Sequence, residues 1–152
     1  MRCAPAYARR WGERFGRVAP LLGPGSGPVI WIHAVSVGET LAALPLIRRL
    51  QAAQPQARLL VTTTTPTGSA RVRAALGDGV AHCYAPYDFP HAVRRFLRRV
   101  QPALLIVMET ELWPNLLHGC ARRDIPVVLA NARLSARSAA GYARVAALTR
   151  PM

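Results

Sequence analysis

The feature that most restricts the fold is an alternation along the chain. Short, nearly unbroken apolar runs are each followed by a longer segment with helical spacing of apolar and polar residues. The runs are Val29 to Ala34, Arg58 to Thr62, Val80 to Tyr84, Leu104 to Met108 and Val127 to Ala130. Runs that are apolar at successive positions suit strands covered on both faces. Helical patterns occupy Glu39 to Gln54, Gly68 to Leu76, His91 to Val100, Trp113 to Arg123 and about Ala136 to Leu148. The repeat predicts an α/β fold, a Rossmann-like parallel sheet with helices on both faces. A chain of 152 residues can bury the core of one such domain, which we assign to residues 29–152.

Local signals refine the boundaries. Asp88 ahead of Pro90 predicts an acidic cap and a proline in the first turn of the third helix. Thr67 and Ser69 are candidate caps of the second helix, and Pro45 predicts a kink or a late start in the first. Residues 20–28, with Gly23, Gly25 and Gly27 between prolines, read as a linker. Residues 1–19 read as a basic leader helix, with Tyr7, Trp11, Phe15 and Val18 at helical spacing among arginines. Such a helix suits either an anionic lipid surface or the flank of the domain. The end at Arg150-Pro151-Met152 reads as a truncation.

Composition bears on partners. The 20 basic residues, all arginine, outweigh 7 acidic ones and give a formal net charge of +13, which favours an anionic partner. Abundant alanine beside the arginine points to a GC-rich genome as one source of the bias. Cys3, Cys83 and Cys120 are too widely spaced for a disulfide framework or a zinc site, which fits a reducing compartment. His33 reads as a core residue, and His82, His91 and His118 share no metal-ligand spacing, so no metal is expected. No apolar run approaches the roughly 20 residues of a membrane span, and the N-terminus lacks a signal-peptide core.

In an open parallel sheet, ligands gather at the carboxyl ends of the strands. The first such loop runs from His33 through Ser36 and Gly38 to Glu39. Glu39 is either a helix-start acid that complements the dipole or a base facing the crevice, and Gly38 beside it permits close approach of a ligand. Three spaced glycines are missing, which excludes a dinucleotide fingerprint. After the second strand, a hydroxyl run with Thr65, Thr67 and Ser69 could bind phosphate or sugar hydroxyls, or only cap a helix. Without a lysine it is not a Walker loop. After the fourth strand come Glu109 and Glu111, which share a side only if the strand continues; Glu111 could instead cap the next helix. After the fifth, Arg133 and Arg137 with their serines could clamp a phosphate or carboxylate, or be ordinary surface arginines.

Five strings in one register, Trp31 to Thr40, Thr64 to Ser69, Pro86 to Asp88, Met108 to Asn115 and Asn131 to Ser135, resemble the 3-deoxy-D-manno-octulosonic acid (Kdo) transferase family. The similarity runs from about Ala4 to Tyr142. It implies the N-terminal, acceptor-binding half of a GT-B type glycosyltransferase, whose second Rossmann-like domain, absent from this chain, binds CMP-Kdo. The implied reaction transfers Kdo from CMP-Kdo to lipid A precursor with inversion, without metal or other cofactor, at the cytoplasmic face of the bacterial inner membrane. Carried over by motif, Glu39 is the proton acceptor and Glu109 stabilises the transition state. Ser36, Gly38, Thr65, Thr67, Ser69, Glu111, Arg133 and Arg137 are expected to bind the acceptor. Many family members begin with an apolar anchor that this chain lacks, so contact with an anionic membrane surface would rest on the leader or on further sequence. On this reading the chain alone is inactive.

The rival from charge alone is a non-enzymatic, basic nucleic-acid-binding α/β domain. It explains the arginines but not Glu39, Glu109 and Glu111 at the strand mouths, so no nucleic-acid partner is expected. The third reading is a different GT-B enzyme using another donor, or an inactive binding remnant of a GT-B enzyme.

Overall fold

The computed structural model describes residues 10–21 and 27–132. Helix α1 (Trp11–Arg14) is followed by β1 (Val29–His33), α2 (Val37–Ala53), β2 (Arg58–Thr63) and α3 (Pro66–Leu76). A short 3₁₀ turn at Gly77–Gly79 leads to β3 (Ala81–Tyr84), α4 (Pro90–Val100), β4 (Pro102–Met108), α5 (Pro114–Ala121) and β5 (Val127–Ala130). The strands form one parallel sheet in the order β3-β2-β1-β4-β5. The expected α/β sheet is therefore present, with its ends shifted by a few residues. The helix expected at 136–148 lies outside the described residues.

Both faces of the central strands β1, β2 and β4 are covered, which is why those strands are mostly apolar, whereas the edge strand β5 leaves Val127 and Val128 exposed. On one face Trp31, fully buried, packs against Phe96 with ring centroids 4.8 Å apart, together with Leu60, Leu97 and Leu116 under α4 and α5. On the other, Ile32, Ile47, Val61 and Val72 pack under α2 and α3. Helices α3, α4 and α5 each begin on a proline, whose fixed φ and missing N–H suit the first turn.

Three local expectations are corrected. Asp88 does not cap α4, whose N-cap residue is Phe89 and which has no side-chain cap. Its carboxylate reaches across the loop to α5 instead, accepting the amides of Asn115 (3.1 Å) and Leu116 (2.8 Å). Helix α3 is capped by Thr65, whose hydroxyl accepts Gly68 N–H at 3.0 Å, and not by Thr67 or Ser69. Helix α2 runs unbroken through Pro45 from a start at Val37. Pro45 is exposed, and so is Leu41, whose carbonyl loses its partner where water can replace it.

Of the two readings of the leader, its described part follows the one in which it packs on the flank of the domain, with a shorter helix than expected. Only one turn, Trp11–Arg14, is helical there. Arg14 is 3% exposed and donates to Thr64 O at 2.8 Å. Arg10 and Glu13 form an ion pair at 2.7 Å. That pair meets the edge strand as a neighbouring strand would: Arg10 donates to His82 O (2.9 Å) and Glu13 accepts Tyr84 N–H (2.7 Å).

Candidate active site

The strand order reverses direction between β1 and β4, and the carboxyl ends of strands at such a switch point are where open parallel sheets bind their ligands. His33 pairs in register with Val107, and both following loops therefore emerge side by side. The first carries Ser36, Gly38 and Glu39; the second carries Glu109 to Trp113.

Glu39 is 5% exposed, and its carboxylate is bound within its own turn. One oxygen accepts Val35 N–H at 2.8 Å; the other accepts Ser36 N–H at 3.2 Å and the Ser36 hydroxyl at 2.8 Å. Glu39 N–H donates back to Ser36 Oγ at 3.3 Å, completing a capping box at the start of α2. The helix-start role of Glu39 is thus physically present. Gly38 is different. Its Cβ would meet only Ser36 Oγ at 3.8 Å, its φ is not in the positive range, and it is exposed. Neither packing nor backbone conformation requires glycine there, and it leaves bare backbone beside the carboxylate.

The second loop begins with Glu109 at φ 58, a left-handed conformation that costs a non-glycine residue on the order of 1 kcal/mol. Strand β4 ends at Met108, and Glu109 N–H still bonds Ala130 O at 2.8 Å. A turn therefore separates Glu109 from Glu111, and the alternative in which the strand continues is set aside. Glu111 does not cap α5, a task done by Asp88. It accepts the Trp113 indole N–H at 3.0 Å and so fixes that ring over His33, edge to face with centroids 4.7 Å apart.

His33 is fully buried, as a core residue should be, and burial pushes its pKa down to about 4, so the ring is neutral. Its Nδ1 shares a hydrogen bond of 2.9 Å with Thr62 Oγ1, which also accepts Trp31 Nε1–H at 2.8 Å. Its Nε2 has no partner. Sequence reading missed this chain of contacts from Trp31 through Thr62, His33 and Trp113 to Glu111, and it missed Asp88 as the anchor of the second loop. The only sequence signal was a polar residue closing an apolar strand in front of a tryptophan loop.

The hydroxyl loop is stitched to the first one: Thr64 N–H and Thr64 Oγ1 both donate to Val35 O, at 3.2 and 3.1 Å. Thr65 is occupied as a cap, Thr67 is exposed, and Ser69 is buried against the leader, 3.5 Å from Arg10 Nη1. Arg133 and Arg137 lie outside the described residues. Among the described residues no group of three or more His, Cys, Asp and Glu is placed to hold a metal ion. Cys83 and Cys120 are buried free thiols with pKa values raised by burial, that of Cys120 to about 11, so neither is a nucleophile at neutral pH. No helix among the described residues is long and apolar enough to cross a membrane.

The sequence also has relatives. Residues 9–152 match the family described as 3-deoxy-D-manno-octulosonic-acid transferase. A 3-deoxy-D-manno-octulosonic acid transferase of Haemophilus influenzae is 52% identical over 147 residues, covering 95% of this chain and 34% of that protein. The transferase of the same name from Bordetella pertussis is 44% identical, covering 89% of this chain and 31% of its own. A probable mitochondrial one from Arabidopsis thaliana is 44% identical, covering 85% and 28%. The chain thus spans about a third of the length of these relatives. With a family match across nearly the whole sequence and a parallel sheet that sets two acid-bearing loops around its switch point, this chain belongs to the 3-deoxy-D-manno-octulosonic acid transferase family.

Proposed function

We propose that this chain is the acceptor-binding half of a GT-B type enzyme that transfers Kdo from CMP-Kdo to lipid A precursor at the cytoplasmic face of the inner membrane. The observation that carries this reading is the meeting of two acid-bearing loops at the β1/β4 switch point, one of them beside an exposed glycine that the fold itself does not need. Glu39 takes the proton from the attacking acceptor hydroxyl, whose oxygen forms the bond to the anomeric carbon of Kdo. CMP departs from the opposite side with the bonding pair, which inverts the centre. Glu109 stabilises the charge that develops on the sugar. The scheme calls on no metal or other cofactor. The Trp113 loop, fixed by Glu111 and Asp88, shapes the acceptor side, and Thr65, Thr67, Arg133 and Arg137 complete it.

A donor-binding domain must close over this mouth to bring CMP-Kdo to Glu39, so the 152-residue chain alone is inactive in this reading. The test compares transfer of labelled Kdo from CMP-Kdo to lipid A precursor by the intact enzyme, its Glu109→Gln variant and the chain alone. Transfer is expected from the intact enzyme, with a loss of 100-fold or more in the variant, on the order of what one electrostatic stabiliser contributes. Transfer by the isolated chain, or undiminished transfer by Glu109→Gln, overturns the reading.

A further inference from the structure

The described part of the leader leaves Arg17 and the ring of Trp11 exposed but commits its other arginines to the fold. Arg14 is buried, and Arg10 is engaged with Glu13 and His82. Unpaired cations gather elsewhere, on the face covered by α4 and α5. Arg94 and Arg98 on α4 and Arg122 at the end of α5 are exposed, and the described residues record no ion pair for any of them. A concavity of about 510 Å³ is lined by Arg94, Arg95, Arg98 and Arg99, and another of about 460 Å³ by Arg94, Arg122 and Arg123. No acid lines either one.

The same face carries a row of rings, Trp11, Phe15, Tyr87, Phe89 and His91, with successive centroids 6.2, 5.7, 6.0 and 5.9 Å apart. Trp11 is 56% and Phe89 50% exposed, and with Tyr87 they are the only exposed tryptophan, tyrosine or phenylalanine residues among those described. We propose that the α4–α5 face, with Arg94, Arg98 and Arg122 at its centre and Trp11 and Phe89 at its rim, docks this domain on an anionic lipid bilayer. This rests on the lipid-acceptor reading above. Guanidinium groups pair with headgroup phosphates, and amphipathic rings settle at headgroup depth. The face of α2 and α3 has exposed Arg48, Arg49 and Arg71 but no exposed ring, so charge alone does not choose between the two faces; the aromatic rim does.

The test is partition of the chain onto phosphatidylcholine vesicles with and without phosphatidylglycerol. Binding that requires phosphatidylglycerol is expected, with a blue shift of Trp11 emission. The triple variant Arg94→Gln, Arg98→Gln, Arg122→Gln should bind on the order of 100-fold more weakly, the contribution of three surface arginines. The triple Arg48→Gln, Arg49→Gln, Arg71→Gln removes the same charge from the other face and should lose far less. Equal losses, indifference to phosphatidylglycerol, or tighter binding to random oligonucleotides than to vesicles would overturn the proposal. Transfer to detergent-dispersed acceptor by the intact enzyme separates the two readings. If the wild type transfers but the α4–α5 triple keeps vesicle binding, only the docking face fails. If the wild type does not transfer, the catalytic reading fails and the vesicle result still decides the face.

Discussion

Glu39 has two candidate roles, and one pair of substitutions separates them. Its carboxylate accepts two backbone amides and one hydroxyl from the turn before α2, and its own amide is held by Ser36. Glu39→Ala removes all three acceptor contacts and orphans Val35 N–H and Ser36 N–H at a partly buried site. At roughly 1 kcal/mol for each amide left unpaired, the loss is about 2 kcal/mol. For a domain of this size that lowers Tm by about 4–8 °C. Glu39→Gln keeps one carbonyl oxygen, and glutamine is an accepted partner in a capping box, so its cost is about 1 kcal/mol or less.

The activity of the intact enzyme follows a different order. Both variants lack a carboxylate, so both should lose about 100- to 10,000-fold in kcat, the usual contribution of a general base. A residue that only caps a helix would give a graded series in which Gln is nearly wild type in stability and in rate alike. The measurement is kcat for Kdo transfer beside thermal unfolding of the same preparations, at a temperature where all are folded. A Glu39→Gln enzyme within about threefold of wild type in kcat would refute the role as base and leave Glu39 a capping residue.

Three further outcomes follow from the geometry. Gly38→Ala has room for its methyl and relieves a glycine in a helix, so unfolding in urea should show a gain of about 0.5–1 kcal/mol while transfer falls; unchanged transfer would remove Gly38 from the site. Asp88→Ala strips the cap from α5 and should cost about 1–2 kcal/mol, with Asp88→Asn intermediate, and a null effect on the urea midpoint would contradict the cross-loop cap. His33 has its pKa depressed to about 4 from an ordinary 6.5, so its neutral form stabilises the fold fully above pH 6.5, and that contribution is lost as pH falls towards 4. Between pH 7 and 5 the loss from His33 amounts to roughly 2 kcal/mol; His82, depressed to about 4 by burial and by Arg10 and Arg73, titrates over the same range, so His33→Phe should remove the His33 share of the fall in the urea midpoint and leave that of His82.

Particular residues show what was legible in the sequence. The strands were, because a strand buried on both faces must be apolar at every position, and Ile30, Trp31 and Ile32 have no other use. The loop positions of Glu39 and Glu109 followed from the same alternation. Hydrogen-bond partners across loops were not legible. Asp88 stands two residues before a helix-starting proline, yet its carboxylate serves the amides of a helix 27 residues on, because two loops at the same end of the sheet bring them together. Glu111 likewise had every local mark of a cap and turned out to hold an indole. Nothing local set Arg14 apart from the other arginines of the leader, yet the fold buries it over Tyr84, its guanidinium 4.3 Å from the ring centroid.

The capping box and the proposed base are not rivals in physical terms. A carboxylate offers about four lone-pair sites, and the turn before α2 fills three of them. Those contacts hold Glu39 in one rotamer without reorganisation at the moment of reaction, which is what a base needs if it is to meet a substrate hydroxyl at hydrogen-bond distance. The remaining site then decides the chemistry, and Gly38, next to Glu39 in sequence and itself exposed, adds no side chain to the loop there. A helix cap with no further duty would gain from alanine at that position, since it would lose nothing and stiffen the first turn. The glycine is therefore the residue that turns an ordinary capping acid into a candidate for catalysis.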